Sequence, residues 1–515
     1  MAVVSSIDSN VTGLRYALED SLGVVSGDEI WIPLEPNSYN DFGGNFVKVA
    51  RNPINDSRQR KKGVVVGLDA VGGFVTDLTQ VNMQDILQGF MFADFRNKVE
   101  FGGAGEITNV DGVTEDYDAA SGLDAFQAGD LVFAAGFTNT ENNGLKTVTA
   151  AAATALTVGE DLVAEAAPPA TATLVTVGFE MGSAELDMVV TAGLAVLTRA
   201  SGVADFTTMG LIPGEWIFVG GDGASTDFVG SNNNGRGRVK VVTATTITLD
   251  KTEFTPTNET GTGLTIQLFF GRVLKNETGV LIVRKSYQLE RTLGAPDDSL
   301  PAEIQAEYVV GAMANQLTLG MAVESIITAD LAFIGTDHET ITGPVALKAG
   351  TRPALVELDA YNAADQVMRS RLTVVDPADS NPTALFAEIT DIDIQINNNL
   401  SPNKSIGRLG AFGITAGTFE ISGNVTAYFS DVAAIAAIRG NSDVTMDFHM
   451  AESNVGMAID IPLTALGEGK LDIQQDQSIK IPVAYDAATG AKVDPNLNHT
   501  LMFTFFDYLP TAAEA

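Results

Sequence analysis

Thr390-Asp-Ile-Asp-Ile-Gln-Ile396 decides the fold class. Ile392, Ile394 and Ile396 fall on one face and Asp391, Asp393 and Gln395 on the other, the alternation of a strand with one dry and one wet side. Phe419-Glu-Ile-Ser422, Asn424-Val-Thr-Ala-Tyr-Phe429, Leu471-Asp-Ile-Gln474 and Ser478-Ile-Lys-Ile481 repeat the pattern, which is that of antiparallel sheets. The better helical patterns are two. Asn82 to Phe95 places Ile86, Leu87, Phe90 and Met91 on one side, and Ser430 to Ile438 does the same with Val432, Ile435, Ala436 and Ile438. Ser430 and Asp431 suit the N-cap of the second. The spacing therefore predicts a mainly β protein with two short helices.

Composition bounds what such a protein can do. The 515 residues carry a net charge of −35, yet 45% are hydrophobic and the mean hydropathy is +0.14. Disordered chains of high charge are poor in apolar residues, so the charge belongs to folded surfaces. The length suggests several domains, each able to bury a core. An acidic excess opposes binding to nucleic acid phosphates and to anionic membranes. The absence of cysteine removes disulfides, thiol catalysis and cysteine–zinc sites. No apolar run reaches the roughly 18–20 residues that cross a bilayer. Met1-Ala-Val-Val-Ser-Ser-Ile-Asp8 lacks a basic region before an apolar stretch, so synthesis in the cytoplasm without a signal peptide is expected.

Two internal repeats organise the chain. Ala128-Gly-Asp-Leu-Val-Phe133 matches Pro213-Gly-Glu-Trp-Ile-Phe218. Asn142-Asn-Gly-Leu-Lys-Thr-Val-Thr149 matches Asn233-Asn-Gly-Arg-Gly-Arg-Val-Lys240, and Thr154-Ala-Leu-Thr-Val158 matches Ala244-Thr-Thr-Ile-Thr-Leu249. Two tandem small β-domains are expected, over 104–180 and 181–270. The second repeat brackets the first. Phe46-Val-Lys-Val49, a polar loop, Gly73-Phe-Val-Thr-Asp-Leu78 and the helical stretch from Asn82 parallel Ile392-Asp-Ile-Gln-Ile396, a polar loop, Gly417-Thr-Phe-Glu-Ile-Ser422 and the stretch from Ser430. Further strands are expected at Val280-Leu-Ile-Val283, over 325–333, from Met457 to Pro482 and at Leu501-Met-Phe-Thr-Phe-Phe506. A duplicated β-module follows, with the small domains inserted after the first module's helix.

Chemistry-bearing patterns are sparse. The three histidines, His338, His449 and His499, lie far apart, and none has metal-ligand spacing. Nucleophile-elbow, phosphate-loop and dinucleotide fingerprints are absent. Gly220-Gly-Asp-Gly223 and Gly230-Ser-Asn-Asn-Asn-Gly-Arg-Gly237 read as turns. Asp376-Pro-Ala-Asp379 lacks calcium-loop spacing. Asp391 and Asp393 share a strand face, but no neighbour tunes either for acid–base work, so a solvated face accounts for them. No catalytic residue, cofactor or metal is expected. The one basic concentration is Arg51, Arg58, Arg60, Lys61 and Lys62, five of thirty basic residues within twelve positions. It reads either as a solvated hairpin loop or as a loop meeting an acidic surface on a neighbouring subunit.

The ordered series of segments resembles bacteriophage tail tube proteins. Gly13-Leu-Arg-Tyr-Ala-Leu-Glu-Asp-Ser-Leu-Gly23 with Ile30-Trp-Ile-Pro33 resembles their opening, and Arg58-Gln-Arg-Lys61 to Gly63 the strand–basic loop–strand that follows. Lys285-Ser-Tyr-Gln-Leu-Glu-Arg-Thr-Leu-Gly294, Tyr308-Val-Val-Gly-Ala-Met-Ala-Asn-Gln-Leu-Thr-Leu319 and Phe333-Ile-Gly335 resemble a later segment. Ile396-Asn-Asn-Asn-Leu400, Ile406-Gly-Arg408 and Gly417 to Phe429 resemble it again. The resemblance implies two tube modules of sandwich or barrel-forming type, each with one short helix. Residues 1–103 with 271–345 form the first, 346–384 a linker and 385–515 the second.

It further implies a structural virion protein without enzymatic activity, the major subunit of a tail tube. Stacked rings would surround a channel for double-stranded DNA passing from capsid to host. Rings of this family carry six modules, so three chains would close one pseudo-hexameric ring. About 24 inner strands, spaced ~4.8 Å and tilted ~40°, give a backbone diameter of about 45–50 Å, wide enough for a duplex. The tape measure, tail terminator and tail tip proteins are the partners the family implies. Domains emerging after a helix would decorate the outside, which favours a flexible, non-contractile siphophage-type tail. Two other classes remain at this point: a secreted or surface-layer adhesin, which needs an export signal, and a glycan-binding or depolymerising β-protein, which needs a carboxylate or histidine constellation. The acidic excess is 16 within residues 100–270 but only 3 within 1–99, so nearly half of it belongs to the small domains. An acidic channel wall would let DNA slide without sticking.

Overall fold

The computed structural model describes residues 7, 12–54, 56, 59–199, 205–294, 304–343, 346–386 and 388–514. Strand makes up 49% of the chain and helix 8%, and the sheets are antiparallel, so the protein is mainly β. Of the α-helices among the described residues, Gln84–Met91 lies within its helical pattern and Ala433–Gly440 overlaps the other, running two residues past it. The second helix buries Ala434 and Ala437 rather than the expected Val432 and Ala436, and its N-cap is Val432, not Ser430 or Asp431; the Asp431 carboxylate, one position earlier, accepts from the Ala433 N–H (3.1 Å). The chain forms two units. One comprises Met1–Ala93, Glu277–Ala363 and Thr390–Thr426; the other comprises Asp94–Asn276, Ala364–Ile389 and Ala427–Ala515.

The first unit is built around a wall of strands. A long hairpin pairs Pro36–Ala50 with Gly63–Asp77, from Pro36 opposite Thr76 to Ala50 opposite Gly63. Thr328–Gly335 continues the wall against 70–77, and the C-terminal half of Gln305–Ala322 pairs next to it. Ile389–Asn397 follows, Gln316 opposite Asn397 and Ala322 opposite Asp391, and then Glu420–Tyr428. The N-terminal half of Gln305–Ala322 turns away into a second layer. There it pairs with Tyr287–Gly294 and Asp337–Thr342, and Gly13–Leu18 extends that layer.

One core fills the space between wall and helix. Phe333 from the wall meets Phe90 of the helix edge-on (centroids 5.4 Å apart) and stacks on Phe74 (6.1 Å). The helix approaches so closely that a Cβ on Gly89 would lie 2.6 Å from the Tyr287 ring. Its C-terminus closes on Phe92, in the left-handed region at φ 49°. On Ile389–Asn397, Ile392, Ile394 and Ile396 are buried and the alternating Asp391, Asp393 and Gln395 are half-exposed, as the period-two pattern requires.

Parts of this arrangement recur in the second unit. Val455–Glu468 again serves two layers: its N-terminal part pairs with Val444–Glu452 and Met502–Phe506, its C-terminal part with Lys480–Ala488. Val367–Val374, inside the stretch expected as a linker, pairs along Val444–Glu452 as Gly13–Leu18 pairs along Tyr287–Gly294. One backbone bond recurs as well. The Leu78 N–H donates to the Ile327 carbonyl (2.9 Å), and the Phe429 N–H donates to that of Ile479 (3.0 Å).

The same unit carries two smaller cores, one gathering buried residues from Ile107 to Leu174 and the other from Phe179 to Phe270. The repeated Asn-Asn-Gly serves as an anchor rather than a hairpin turn. Asn143 brackets Phe137, accepting from its N–H (2.9 Å) and donating to its carbonyl (3.0 Å), while Asn234 brackets Phe228 with bonds of 2.9 and 2.7 Å. Asn142 donates to Glu165 and Asn233 to Glu259 (3.0 and 2.5 Å). The segment begins and ends at a clasp: the Arg96 N–H donates to the Val273 carbonyl (2.8 Å) and the Val273 N–H to that of Arg96 (3.2 Å).

Two expected strands are absent. Leu471-Asp-Ile-Gln474 keeps only an isolated bridge of Asp472 with Lys480, with Ile473 68% exposed. Around Val280-Leu-Ile-Val283 the chain forms a 3-10 turn, Gly279–Leu281, with Val280 98% exposed, because no strand lies alongside to take its backbone bonds. Replacing Phe333 by Ala should lower the unfolding free energy by about 3–5 kcal/mol in denaturant titration. Phe46→Ala, at a half-exposed position of the hairpin, should change it by no more than about 0.5 kcal/mol.

Candidate assembly surface

The far half of the long hairpin buries neither of its faces. Over 46–50 and 63–66 six of the nine residues are β-branched or aromatic, yet Phe46 is 50% exposed and Val64 60% exposed, with Val47, Val49, Val65 and Val66 similarly bare. Adjacent residues of a strand point to opposite sides, so apolar groups lie on both faces of a ribbon only two strands wide. Such a ribbon is an interaction element, since an exposed apolar surface of this kind marks a contact site. At its tip Arg51, Arg60, Lys61 and Lys62 are exposed, and Ile54 projects fully into solvent. Arg58 lies outside the described residues. The basic residues singled out by composition thus share one loop at the end of an apolar ribbon.

A second surface emerges only from the strand register. Directly opposed residues point to the same side of a sheet, so pairing defines rows on the side of the wall away from the helix. One row runs Asp77, Thr328, Gly320, Asp393; the next runs Val75, Asp330, Thr318, Gln395; a third runs Gly73, Ala332, Gln316, Asn397. These positions hold aspartates and small or amide side chains, and no Lys or Arg. Asn40 donates to Asp330 (2.8 Å) and Asn37 to Asp77 (2.6 Å), which holds the carboxylates in the plane of the wall. Burial raises the Asp393 pKa, and the neighbouring Asp391 raises it further. Burial likewise raises that of Asp330, against the bond from Asn40. Rows of aspartates, amides and small residues without Lys or Arg positions give a face of negative potential, unfavourable to phosphate. Asp391 and Asp393 were legible as one wet face; Asp77 and Asp330 join them only through register.

The remaining ionisable constellation is inward-facing. In the second unit the fully buried Asp460 carboxylate accepts from Arg238 (3.0 Å), from the Trp216 indole (3.1 Å) and from His499 (3.1 Å). Arg238 also holds Asp250 (2.8 Å), and Arg369 pairs with Asp447 beside His449. Burial pushes the Asp460 pKa up, but Arg238 and the other donors outweigh it and hold the carboxyl below its ordinary value. Burial lowers the His499 pKa against the pull of Asp460, and lowers that of His449 with help from Arg236 and Arg369. A histidine–aspartate pair without solvent access or a nucleophile does structural work. It joins Trp216 and Arg238 to the Val444–Glu452 and Val455–Glu468 strands, over an apolar patch that includes Phe218, Phe269, Ala458 and Phe506. No group of His, Asp or Glu suited to a metal occurs among the described residues.

An apolar ribbon with a basic tip, beside a wall face of aspartates, is the surface of a protein that assembles. A family model, Phage tail tube protein, matches residues 9–487, nearly the whole chain. The chain belongs to the phage tail tube protein family. No curated protein matches the sequence. Membership makes this a structural protein of the virion tail, and neither the adhesin nor the glycan-directed alternative is favoured. Its family is not typically enzymatic, and it implies self-assembly into a tube alongside other tail proteins. No helix is long and apolar enough to cross a membrane.

The buried charges make acid sensitivity testable. Asp460→Asn removes one of the two carboxylates that balance Arg238, leaving Asp250, and should cost about 1.5–3 kcal/mol in denaturant titration. The folded-state pKa values of His449 and His499 lie below that of unfolded histidine, ~6.5. The unfolded chain therefore takes up protons first as pH falls, and stability drops from pH 7 toward pH 5. His449→Gln should flatten that slope, measured as the denaturation midpoint against pH.

Proposed function

We propose that each chain supplies two tube modules and that three copies close one ring, with rings stacking into the tail tube. The recurrence of one order of elements carries this reading: a strand pair, a helix of one to two turns, a strand shared by two layers, and a returning strand. It occurs over 13–93 with 277–342, and again over 367–515. The matched bonds of Leu78 with Ile327 and Phe429 with Ile479 fix the correspondence. Six modules then arise from three chains, and about 24 inner strands give a channel wide enough for a DNA duplex.

The rows containing Asp77, Asp330 and Asp393 line the channel in this scheme. A surface without Lys or Arg releases no counterions from DNA and gains no affinity for it, so the genome slides past. The small domains over 104–180 and 181–270 stand on the outer surface, where their acidic excess keeps the tail soluble. A decorated outer surface leaves no room for a contractile sheath, which favours a siphophage-type tail. The long hairpin, with Arg51, Arg60, Lys61 and Lys62 at its tip, contacts a neighbouring copy. The tape measure, tail terminator and tail tip proteins complete the structure.

Electron microscopy of the purified protein should show rings or hollow tubes, and native mass spectrometry of single rings should give three chains. Six chains per ring, or isolated monomers at high concentration, would contradict the scheme. Substituting Asp330 and Asp393 by Lys should leave assembly intact and slow DNA ejection several-fold; unchanged ejection would remove these rows from the channel.

A further inference from the structure

The two modules differ most in the loop between their first two strands. In the first module that loop caps the free-standing hairpin. In the second it spans 398–419 and folds back over the first unit. The Leu68 N–H donates to the Leu409 carbonyl (2.9 Å), the Ala411 N–H donates to the Thr336 carbonyl (3.1 Å), and Lys404 pairs with Asp69 (2.5 Å). A basic loop from one module is thus seated on an acidic residue at the start of the second strand of the other, within one chain.

The same seat exists once more, unoccupied by any loop of its own chain among the described residues. Aligning Leu78 with Phe429 by their matched bonds places Asp69 in register with Glu420 and Leu68 with Phe419. Ala70 and Ile421 are then both buried, as are Phe74 and Val425, so the correspondence keeps the faces of the strand. Glu420 is exposed and engages in no ion pair among the described residues. The loop without a seat is the basic one, and the seat without a loop is acidic.

We propose that the hairpin tip of one copy docks on the Phe419–Glu420 seat of a second copy, reproducing between chains the contact that 398–419 makes within one. Arg60, Lys61 or Lys62 takes the place of Lys404, and Glu420 takes that of Asp69. The occupant is a second copy of this chain, chosen by charge complementarity and by the intramolecular contact that serves as its template. The inference rests on the duplicated-module reading. It explains why the hairpin leaves apolar groups bare on both faces, since 398–419 is seated within its own chain and the hairpin tip gains a seat only when copies adjoin.

The chain lacks cysteine, which makes a direct test clean. Lys61→Cys and Glu420→Cys copies are purified separately, mixed, allowed to assemble and oxidised, so that a Lys61→Cys to Glu420→Cys disulfide can only join two chains. The expected result is a cross-linked dimer in the mixture, identified by peptide mapping and absent from either variant alone. Tubes that form from the mixture without this cross-link overturn the docking proposal while leaving the tube reading intact. Failure of the wild-type protein to form rings or tubes overturns both. Charge reversal supplies a second readout. Glu420→Lys should slow tube growth about tenfold, and combining it with Lys61→Glu and Lys62→Glu should restore most of the rate. Restoration absent in tubes of normal appearance counts against the pairing.

Discussion

A strand that belongs to two sheets at once is the constraint on which the architecture turns. Gln305–Ala322 gives its C-terminal half to the wall and its N-terminal half to the covering layer, and Val455–Glu468 divides itself the same way. Because the backbone is continuous, wall and cover cannot shift against each other without breaking hydrogen bonds in both. The bend is set locally. Gly311 sits at φ 61°, and the register slips between Ala314 and Gln316, so one residue is absorbed where the strand changes partners. The core of Phe74, Phe90, Tyr287 and Phe333 then fills the angle so created. A tube subunit needs a wall stiff enough to carry load and a surface free to meet its neighbours, and one shared strand supplies the first without consuming the second.

Charge is spent in two opposite ways. On the open side of the wall, Asp77, Asp330, Asp391 and Asp393 share one face that is open to water. Around Asp460, by contrast, the buried carboxylate is met by Arg238, Trp216 and His499, since an unpaired charge in the interior would cost several kcal/mol. The net charge of −35 reports neither arrangement. It sums a solvated outer surface, an acidic face and a neutralised interior.

The period-two alternation of Thr390-Asp-Ile-Asp-Ile-Gln-Ile396 made the wall legible, because a strand with one wet side writes its geometry into its residues. The helices were legible for the same reason at a different period. The shared strand was not, because Tyr308-Val-Val-Gly-Ala-Met-Ala314 is buried on both sides where two layers meet, and alternation vanishes there. Val280-Leu-Ile-Val283 misled in the opposite sense: its apolar run has strand propensity, but strand formation needs a partner that composition cannot supply. The ion network escaped notice because Trp216, Arg238, Asp460 and His499 come from distant segments, each of which reads alone as a solvated residue. The basic loop stood out by charge, whereas the acidic residue that answers it became visible only through the correspondence of two folded halves.

The clasp between Arg96 and Val273 has a consequence for how such a chain changes over time. A segment that leaves and returns through one pair of hydrogen bonds can be lengthened, shortened or exchanged without rerouting the strands on either side, because its ends already meet. The limit on exchange lies elsewhere. Trp216 and Arg238 belong to the exchangeable segment, and Asp460 belongs to the scaffold that stays. A lineage that discarded the segment would inherit a buried carboxylate beside His499 with its strongest donor gone. If the segment is an insertion, as proposed, Asp460 is the position to compare among relatives: acidic where the segment is retained, apolar or amide where it is lost.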